Sequence, residues 1–380
     1  MTIRPFSHQP SSPVLFGVGS SATIAEKTLL KRAAKILVVT DQGVIRAGLL
    51  EAIVRPFGTR VFCVDDAVVP DADCAHVDVV AAQGTAAGVD AVLAIGGGSV
   101  MDSAKGVCMG MAKGAAVASF EGIATLRKKT VPLVCVPTTA GTGSEATQFA
   151  VLMDRQAHKK RIYVDQNLVP ALAVLDPALV VGLPAAVTCA TAVDALTHAL
   201  EALGSKMRNP LATAHALEAV RLLLCEGALA RSLKNPTDVD ARADSMMAAH
   251  LAGRAVSSAM LGACHALAHV LGARCGVPHG VANGLFLVPV LQANARTAAE
   301  PYARLARALN VADVDAAIAL VDDFVHEVAG IPRRLRDAVP SLTQADLPVL
   351  AAAAAVDPDL PTNPELLNER GLLTILQQRW

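Results

Sequence analysis

Two pairs of side chains in the C-terminal half of the sequence have the spacing of metal ligands on a helix. Asp194 and His198 form one pair, and His265 and His269 form the other. Residues four apart on a helix project from the same face, so each pair can approach one cation. His279 follows in a turn that contains glycine and proline, where the chain could return to the same point. The carboxylate with three of these imidazoles would suit Fe²⁺ or Zn²⁺ and leave a coordination position for a substrate.

Each of these histidines also has a structural explanation, because a single histidine in an apolar helix is more often a hydrogen-bonded core residue. The group as a whole is harder to explain in that way. Its members lie in two of the least charged stretches of the chain. Ionisable groups are costly to bury there unless something compensates for them, and a metal ion would do so.

A glycine-rich turn, Gly96 to Ser99, indicates a second site. It follows a predicted strand at 91–95 and precedes a helical pattern over 100–111. Glycines let the backbone approach a phosphate closely, and free amides at a helix start stabilise its charge. Ser99 and Asp102 fit a capping box, so Ser99 is predicted to be the N-cap. Taken alone, the turn is explained equally well as a structural feature.

Asp41 and the glycines Gly17 and Gly19 strengthen the expectation of a nucleotide. The glycines follow the first predicted strand, and Asp41 ends the second, about 20 residues beyond Gly19. A carboxylate in that position can accept hydrogen bonds from the adenosine ribose and would repel a 2′-phosphate, which favours NAD over NADP. The alternative is that Asp41 only caps the following helix.

A third polar loop, Pro137 to Glu145, follows the fifth predicted strand. It carries four hydroxyl side chains and two glycines. A loop that was merely solvated would not need this density of hydroxyl groups, so the loop is predicted to bind a polar ligand.

The elements that must position these side chains change in type near residue 185. Strand-like segments alternate with helical or glycine-containing segments before that point, and helical spacing alone continues after it. Strands are predicted at 14–18, 35–40, 60–64, 91–95, 133–136 and 172–175, and later helices at 192–203, 211–224, 245–255, 299–308 and 314–328. We therefore expect an α/β dinucleotide-binding domain with a parallel, Rossmann-like sheet over 1–184 and an all-α, helical metal-binding domain over 185–380. A cleft between the two domains is the expected ligand site.

The composition limits the possible partners. Of 380 residues, 53% are apolar and 18% are charged, which excludes a disordered chain, and 33 basic against 34 acidic residues argue against nucleic acid. Two uncharged stretches, 255–273 and 275–295, are long enough to span a membrane, but their histidines, glycines and prolines favour a buried core. The sequence opens without a signal-peptide-like run and has no CxxC pair among its eight cysteines. We therefore expect a cytoplasmic protein with reduced thiols.

The sequence resembles the iron-containing alcohol dehydrogenase family over nearly its whole length. The segments that carry the resemblance are Phe16 to Ser20, Ala94 to Ser99 with Asp102 and Lys105, Pro137 to Glu145, Asp194 to Ala199, and His265 through His279. The resemblance implies a two-domain dehydrogenase that binds NAD(P) and a metal ion.

The resemblance also implies roles for individual residues. The implied metal ligands are Asp194, His198, His265 and His279. His269 is not a ligand by this resemblance but lies near the nicotinamide and substrate, a position that suits a proton relay. The implied dinucleotide contacts are Asp41, Gly97, Gly98, Ser99, Thr138, Thr139, Thr142 and Lys160.

Two segments depart from the family's usual sequence. Asp71 stands where the family commonly has asparagine, which places an extra carboxylate near the expected nicotinamide. Residues 359–365 read Asp-Leu-Pro-Thr-Asn-Pro-Glu, whereas the family often has Cys-Thr-Gly-Gly-Asn-Pro-Arg in the pocket wall. The pocket wall is therefore expected to be individual to this chain.

We expect reversible hydride transfer between an alcohol and NAD⁺ with Fe²⁺ or Zn²⁺, in a homodimer or larger homo-oligomer. One alternative is an oxo-acid reductase resembling maleylacetate reductase, although that branch usually lacks the ligand that Asp194 would supply. A less favoured alternative is a lyase resembling dehydroquinate synthase. It needs basic groups for an acidic substrate, and only Arg254 and Arg274 are cationic around the histidines.

Overall fold

The computed structural model describes residues 5–8, 11–27, 29–157 and 159–380. Within that part, the chain divides into two compact units. One unit covers residues 11–183. The other covers 184–380 and includes residues 5–8, which we had expected in the α/β domain.

The first unit contains a parallel sheet of six strands. The strands of this unit are β1 Val14–Phe16, β2 Ile36–Val39, β3 Val61–Asp65, β4 Ala91–Gly96, β5 Gly122–Ile123, β6 Leu133–Pro137, β7 Phe149–Asp154, β8 Lys159–Val164 and β9 Leu172–Leu175. The six predicted strands form one sheet in the order β1-β9-β6-β4-β2-β3, and every neighbouring pair is parallel. The predicted fold class is therefore confirmed.

A smaller sheet, in the order β5-β8-β7, was not predicted. Strands β7 and β8 are antiparallel, and β8 begins with Lys159, Lys160 and Arg161. These cations are held by carboxylates, as in the pair between Arg161 and Asp154. A strand that opens with three basic residues lacks the apolar alternation by which strands are recognised in a sequence.

Helices cover both faces of the six-stranded sheet. They are α1 Ile24–Lys27, α2 Gln42–Arg46, α3 Leu50–Val54, α4 Cys74–Ala87 and α5 Gly98–Lys113. Alternate residues of β4 enter opposite cores: Val92 and Ala94 face one apolar cluster, and Leu93 and Ile95 face the other. Burial on both faces explains why the central strands read as continuous apolar runs.

Within its described residues, the second unit contains helices and no strand. Its helices are α6 Ala185–Gly204, α7 Pro210–Val220, α8 Ala228–Lys234, α9 Val239–Ala259, α10 Ala263–Cys275, α11 His279–Asn294, α12 Ala299–Ala308, α13 Val314–Asp323, α14 Leu335–Ala338, α15 Leu347–Ala354 and α16 Glu369–Gln378. Helix α6 packs against α7, α9 and α11, and α10 packs against α11 and α15. This arrangement brings the histidine-bearing helices α6, α10 and α11 together.

Among the described residues, no single helix is long and apolar enough to cross a membrane. Helices α9 and α10 together have the length and composition of a membrane span, but the chain bends by 106° between them.

Candidate metal and dinucleotide sites

The glycine turn connects β4 to α5 and fits tightly against the loop that follows β6. Helix α5 begins at Gly98 and its N-cap is Gly97, whose extended backbone fills that role, so the prediction of Ser99 as N-cap is wrong. A Cβ on Gly97 would lie 3.2 Å from Cγ2 of Thr139, and a Cβ on Gly98 would lie 2.6 Å from Cγ2 of Thr142. A side chain at position 98 would therefore force Thr142 to move, and one at position 97 would displace Thr139 by a few tenths of an ångström.

Asp102 links α5 to the smaller sheet and to the polar loop Pro137 to Glu145, which we call the hydroxyl loop. The capping box predicted for Ser99 and Asp102 does not form. Its carboxylate accepts hydrogen bonds from Oγ of Ser144 at 2.7 Å and from the backbone N of Val151 at 3.0 Å. Burial raises the pKa of Asp102, although Lys105 opposes the shift. The hydroxyl of Ser99 instead accepts a hydrogen bond from the backbone N of Asp71 at 3.2 Å.

Lys105, in α5, fixes the end of the hydroxyl loop and the residues that follow it by hydrogen bonds. Its fully buried ammonium donates to the carbonyl oxygens of Ser144 at 2.7 Å, Thr147 at 3.0 Å and Phe149 at 2.6 Å. Burial lowers its pKa, while the charge of Asp102 opposes the shift. Lys105 therefore positions the hydroxyl loop and is not free to bind a ligand.

The sheet order places Asp41 beside the glycine turn, because β2 is the neighbour of β4. The hydroxyl of Thr40 donates to the carbonyl of Ile95 at 2.8 Å across these strands. One oxygen of Asp41 caps α2 by accepting a hydrogen bond from the backbone N of Val44 at 2.9 Å. The structural role weighed for Asp41 is thus present, and it engages one oxygen of the carboxylate.

The prediction that Gly19 and Asp41 belong to one nucleotide-binding motif is wrong. Strands β9, β6 and β4 lie between β1 and β2. The loop after β1 is instead bound by Asp176, whose carboxylate accepts hydrogen bonds from the backbone N of Gly19 at 3.0 Å and of Ser21 at 3.1 Å. The glycine turn that lies next to Asp41 is the one that follows β4.

Lys160 lies near the same turn but is engaged by Asp71. Its Nζ lies 2.9 Å from Oδ1 of Asp71, whose backbone in turn contacts Ser99. Asp71 has a left-handed φ of 57°, a region in which asparagine and aspartate are the most readily accepted side-chain-bearing residues. This explains why an aspartate can stand where the resemblance leads us to expect an asparagine, and shows what its carboxylate contacts.

The carboxylate of Asp41 after β2 and the glycines and hydroxyls of the loops after β4 and β6 therefore lie at the carboxyl ends of these strands. Thr138 follows β6, and its backbone N donates to the carbonyl of Gly96 at 3.0 Å. In a parallel sheet these strand ends share one edge, which is where nucleotides bind in folds of this class.

The predicted metal ligands converge in the helical unit. Asp194 and His198 lie on α6, His265 lies on α10, and His279 is the first residue of α11. Oδ1 of Asp194 lies 3.5 Å from Nε2 of His279 and 3.7 Å from Nε2 of His198. The same oxygen lies 3.8 Å from Nε2 of His265. Asp194, His198 and His265 are buried, and His279 is partly exposed.

Gly280 permits this convergence. A Cβ at this position would lie 1.9 Å from the carbonyl oxygen of Ala190 in α6, a separation that no side chain could tolerate. The start of α11 therefore lies directly against the backbone of α6. This close contact between the helices places His279 next to Asp194.

Asn283 and Glu201 complete the arrangement around these ligands. Nδ2 of Asn283 donates to Oδ1 of Asp194 at 2.8 Å and lies 3.3 Å from Nε2 of both His265 and His279. Oε2 of Glu201 accepts a hydrogen bond from Nδ1 of His265 at 2.6 Å. Burial raises the pKa of Glu201 to about 7.

His269 lies beside the ligands but faces a different pair of carboxylates. Its ring stacks on that of His279 with centroids 5.6 Å apart and lies edge-on to His265 at 5.8 Å. Its Nδ1 is 3.1 Å from Oδ2 of Asp357 and 3.8 Å from Oδ2 of Asp359. The spacing of His265 and His269 alone had left both as ligand candidates, and the structure directs Nδ1 of His269 toward the C-terminal carboxylates.

Sequence reasoning missed Glu201, Asn283 and Asp357. Glu201 lies seven residues after Asp194, and Asn283 lies four residues after His279. Helical periodicity places each of them on the ligand-bearing face, so this signal could have found both. Asp357 is distant in sequence from the histidines, and no local spacing relates it to His269.

Comparison with known proteins gives matches over almost the entire chain. A model of the family described as iron-containing alcohol dehydrogenase matches residues 11–177, and the model of the family's C-terminal part matches residues 188–380. The chain is 33% identical over 395 residues to the 1,3-propanediol dehydrogenase of Klebsiella pneumoniae, with 100% of each chain covered.

Solved structures agree with these matches. The crystal structure of a 1,3-propanediol oxidoreductase superimposes with a TM-score of 0.93 at 32% identity and covers 99% of this chain and 100% of its own. The structure of sulfoacetaldehyde reductase from Bifidobacterium kashiwanohense, in complex with NAD⁺, superimposes with a TM-score of 0.90 at 27% identity and covers 99% of both chains.

Proposed function

The chain belongs to the iron-containing alcohol dehydrogenase family, and from this premise we propose which of its residues bind the metal, bind the dinucleotide and move the proton. The protein is an oxidoreductase that interconverts alcohols and carbonyl compounds with NAD(H) and a metal ion. The convergence of three imidazole Nε2 atoms on one carboxylate oxygen is the observation that carries the proposal.

We assign Asp194, His198, His265 and His279 as the metal ligands. The amide of Asn283 supports this assignment, because its N–H group lies where Asp194 Oδ1 and two imidazole lone pairs meet. A cation at that place would find the same acceptors. Glu201 holds the proton of His265 on Nδ1, which leaves Nε2 of this ring able to coordinate. One carboxylate and three imidazoles fit Fe²⁺, the metal of the family's name, and also Zn²⁺.

When bound, the metal supplies Lewis acidity to the substrate oxygen, and NAD⁺ supplies the hydride acceptor. The chain's own residues set the charge around that oxygen. A single ionised ligand, Asp194, with three neutral imidazoles leaves a divalent ion about one net positive charge, which favours developing negative charge on oxygen.

We propose His269 as the proton relay. It lies against two metal ligands without sharing their orientation, and its Nδ1 donates to Asp357. This bond fixes the tautomer, so that Nε2 is the atom that accepts and releases a proton. Asp357 is a positioning residue in this scheme.

We propose that NAD binds at the carboxyl ends of β2, β4 and β6. The candidate contacts are Asp41, Gly97, Gly98, Ser99, Thr138, Thr139, Thr142 and Lys160, which surround one edge of the sheet. The start of α5, a helix of 16 residues, would provide amides for a phosphate. Asp41 would accept hydrogen bonds from the ribose and disfavour NADP.

We further propose a cytoplasmic homo-oligomer. All eight cysteines are free, which suits a reducing compartment. The edge strands β1 and β3 expose the apolar side chains of Phe16 and Phe62, and a second copy could cover either edge. Light scattering of the purified protein would measure the oligomeric state directly.

The metal assignment is tested by Asp194→Ala and His265→Ala, with the exposed Asp323→Ala as control. We expect the first two variants to lose both bound metal and alcohol oxidation, and the control to keep both. Metal content of anaerobically purified protein and NADH formation are the measurements. Full activity in either metal-depleted variant would refute the scheme, and activity that survived exhaustive chelation in the unmodified enzyme would favour the metal-free oxo-acid reductase.

A further inference from the structure

Asp359 is a buried carboxylate whose hydrogen-bonding capacity is unused. Its residue is only 5% exposed, and within the described part of the chain its side chain forms no hydrogen bond. Nδ1 of His269 lies 3.8 Å from Oδ2 of Asp359. A carboxylate that is almost fully buried and accepts no hydrogen bond from the chain is costly, so this position is explained best if a ligand supplies the missing donor.

Neighbouring Asp357 does not share this property. One of its oxygens accepts the hydrogen bond from Nδ1 of His269 at 3.1 Å, and the other accepts one from the backbone N of Asp359 at 2.9 Å. Two carboxylates therefore lie side by side, one fully engaged and one available.

The carboxylate of Asp359 is separated from the nearest proposed metal ligand by a single side chain. It is close to His269, whose ring stacks on His279. A substrate held by its oxygen at the metal would extend into this neighbourhood with the rest of its carbon chain.

The surroundings carry an excess of negative charge. The carboxylates of Glu201, Asp357 and Asp359 lie 2.6, 3.1 and 3.8 Å from histidine Nδ1 atoms, and none of them pairs with a lysine or arginine of the described chain. Together with Asp194 they make four carboxyl groups, and each one that ionises beyond two leaves a negative charge that a divalent metal with neutral imidazoles does not balance. A monocation would reduce this surplus.

We propose that Asp359 binds the ammonium group of the substrate, so that the enzyme prefers amino alcohols and the corresponding amino aldehydes. The inference rests on the proposed function of the neighbouring metal site. The reaction is the same for an amino alcohol as for any other alcohol. The carbinol carbon gives a hydride to NAD⁺, the hydroxyl gives up its proton, and an aldehyde and NADH result. The ammonium group keeps its protons and only anchors the substrate.

A second divalent metal is the other cation to consider, since His269, Asp357 and Asp359 offer ligand atoms within 4.8 Å of one another. Binding it would require Nδ1 of His269 to lose its proton and its bond to Asp357. An ammonium group requires only acceptors, and Asp359 provides them with both existing bonds of Asp357 intact. The hydrogen bonds therefore favour the ammonium.

The test compares alcohols in which an ammonium group replaces a methyl group of similar size. The pairs are ethanolamine with 1-propanol, 3-amino-1-propanol with 1-butanol, and 4-amino-1-butanol with 1-pentanol, each followed by initial rates of NADH formation with the metal-loaded enzyme. We expect kcat/KM to be at least about tenfold higher for the amine in one or more pairs, as for a charge-assisted hydrogen bond. The absence of a preference for the amine in all three pairs would overturn the proposal.

Two variants then assign the preference to the carboxylate. In Asp359→Asn and Asp359→Cys, the ratio of kcat/KM between amine and neutral alcohol should fall about tenfold or more, and the exposed Asp323→Asn control should keep the ratio. An unchanged ratio in both Asp359 variants would overturn the proposal. So would a second equivalent of metal per chain that Asp359→Asn removes.

The design separates this proposal from the function on which it depends. If the neutral alcohols are oxidised without any preference for amines, only the ammonium site is refuted. If no alcohol of either kind reduces NAD⁺, the proposed function fails and the ammonium site fails with it.

Discussion

The carboxylate of Glu201 accepts the Nδ1 proton of His265 over a distance of 2.6 Å, although the two residues belong to different helices, α6 and α10. The other oxygen of Glu201 accepts a hydrogen bond from the backbone N of Cys264 at 2.8 Å. Glu201 therefore fixes both the position of α10 and the orientation of the imidazole. It is a positioning residue for the proposed metal.

Glu201→Ala should weaken metal binding about 10- to 100-fold, because the imidazole loses the partner that fixes its tautomer. Glu201→Gln keeps an acceptor without the charge and should lie between this variant and the unmodified protein. Competition for Fe²⁺ or Zn²⁺ against a coloured chelator measures the affinity. The exposed Glu300→Gln serves as control, and an unchanged affinity in Glu201→Ala would show that His265 needs no such support.

Gly280→Ala should separate His279 from the other ligands. The added Cβ would meet the carbonyl oxygen of Ala190 at 1.9 Å, and backbone atoms cannot rotate away, so α11 must move. We expect both weaker metal binding and a lower melting temperature. Gly182→Ala is the matched control, because a Cβ at Gly182 has no neighbour within 4 Å. Equal metal affinity in both variants would contradict the proposed role of the contact.

Asp41→Asn should reduce the preference for NAD⁺ over NADP⁺. Asparagine is as good an N-cap as aspartate, so α2 keeps its hydrogen bond to Val44 while the charge is removed. We expect the ratio of kcat/KM for the two cofactors to shift toward NADP⁺ by about tenfold, comparable to the loss of one repulsive charge interaction. An unchanged ratio would leave Asp41 with its capping role alone.

Asp71→Asn should strengthen NADH binding by a few-fold. Asparagine accepts the left-handed backbone at this position, and the substitution releases Lys160 from its ion pair. Because the pair is partly exposed, it contributes only about 1 kcal/mol or less, which limits the change. Lys160→Ala should act in the opposite direction. Fluorescence titration with NADH measures both variants, and a change of the same sign in both would exclude this competition for Lys160.

The sequence was sufficient to predict the parallel sheet, the helical second half and the set of metal-ligand candidates. These features depend on local periodicity, since strands buried on both faces read as apolar runs and helical ligands recur every four residues. The small sheet was missed because the basic residues of β8 are held by carboxylates brought from elsewhere. The proximity of Asp41 to the glycine turn after β4, rather than to Gly19, was missed for a similar reason. The order of the strands in the sheet decides which glycine turn lies beside Asp41, and this order cannot be read from spacing along the chain.

The contact between His269 and Asp357 shows the same limit at the site itself. His269 and His265 have equivalent spacing in the sequence, and only the packing of residues 357–359 beside α10 gives His269 a carboxylate partner. The substitution of Asp359 for the family's usual cysteine could be read from the sequence, whereas its lack of a hydrogen-bonding partner could not.

Asp359 should make the stability of the metal-free protein depend on pH. Burial raises its pKa to about 7, whereas an unfolded chain has a value of about 3.9, so the folded state favours the neutral carboxyl. The cost of ionising it begins above the unfolded value and is complete above the folded one. Asp359→Asn removes that cost, so its stability relative to the unmodified protein should rise between pH 5 and pH 8, by at most about 1.4 kcal/mol per unit of pKa difference. Melting temperatures at both pH values measure the effect, with Asp323→Asn as control. A difference between Asp359→Asn and the unmodified protein that is the same at both pH values would show that the ionisation of Asp359 does not weaken the fold.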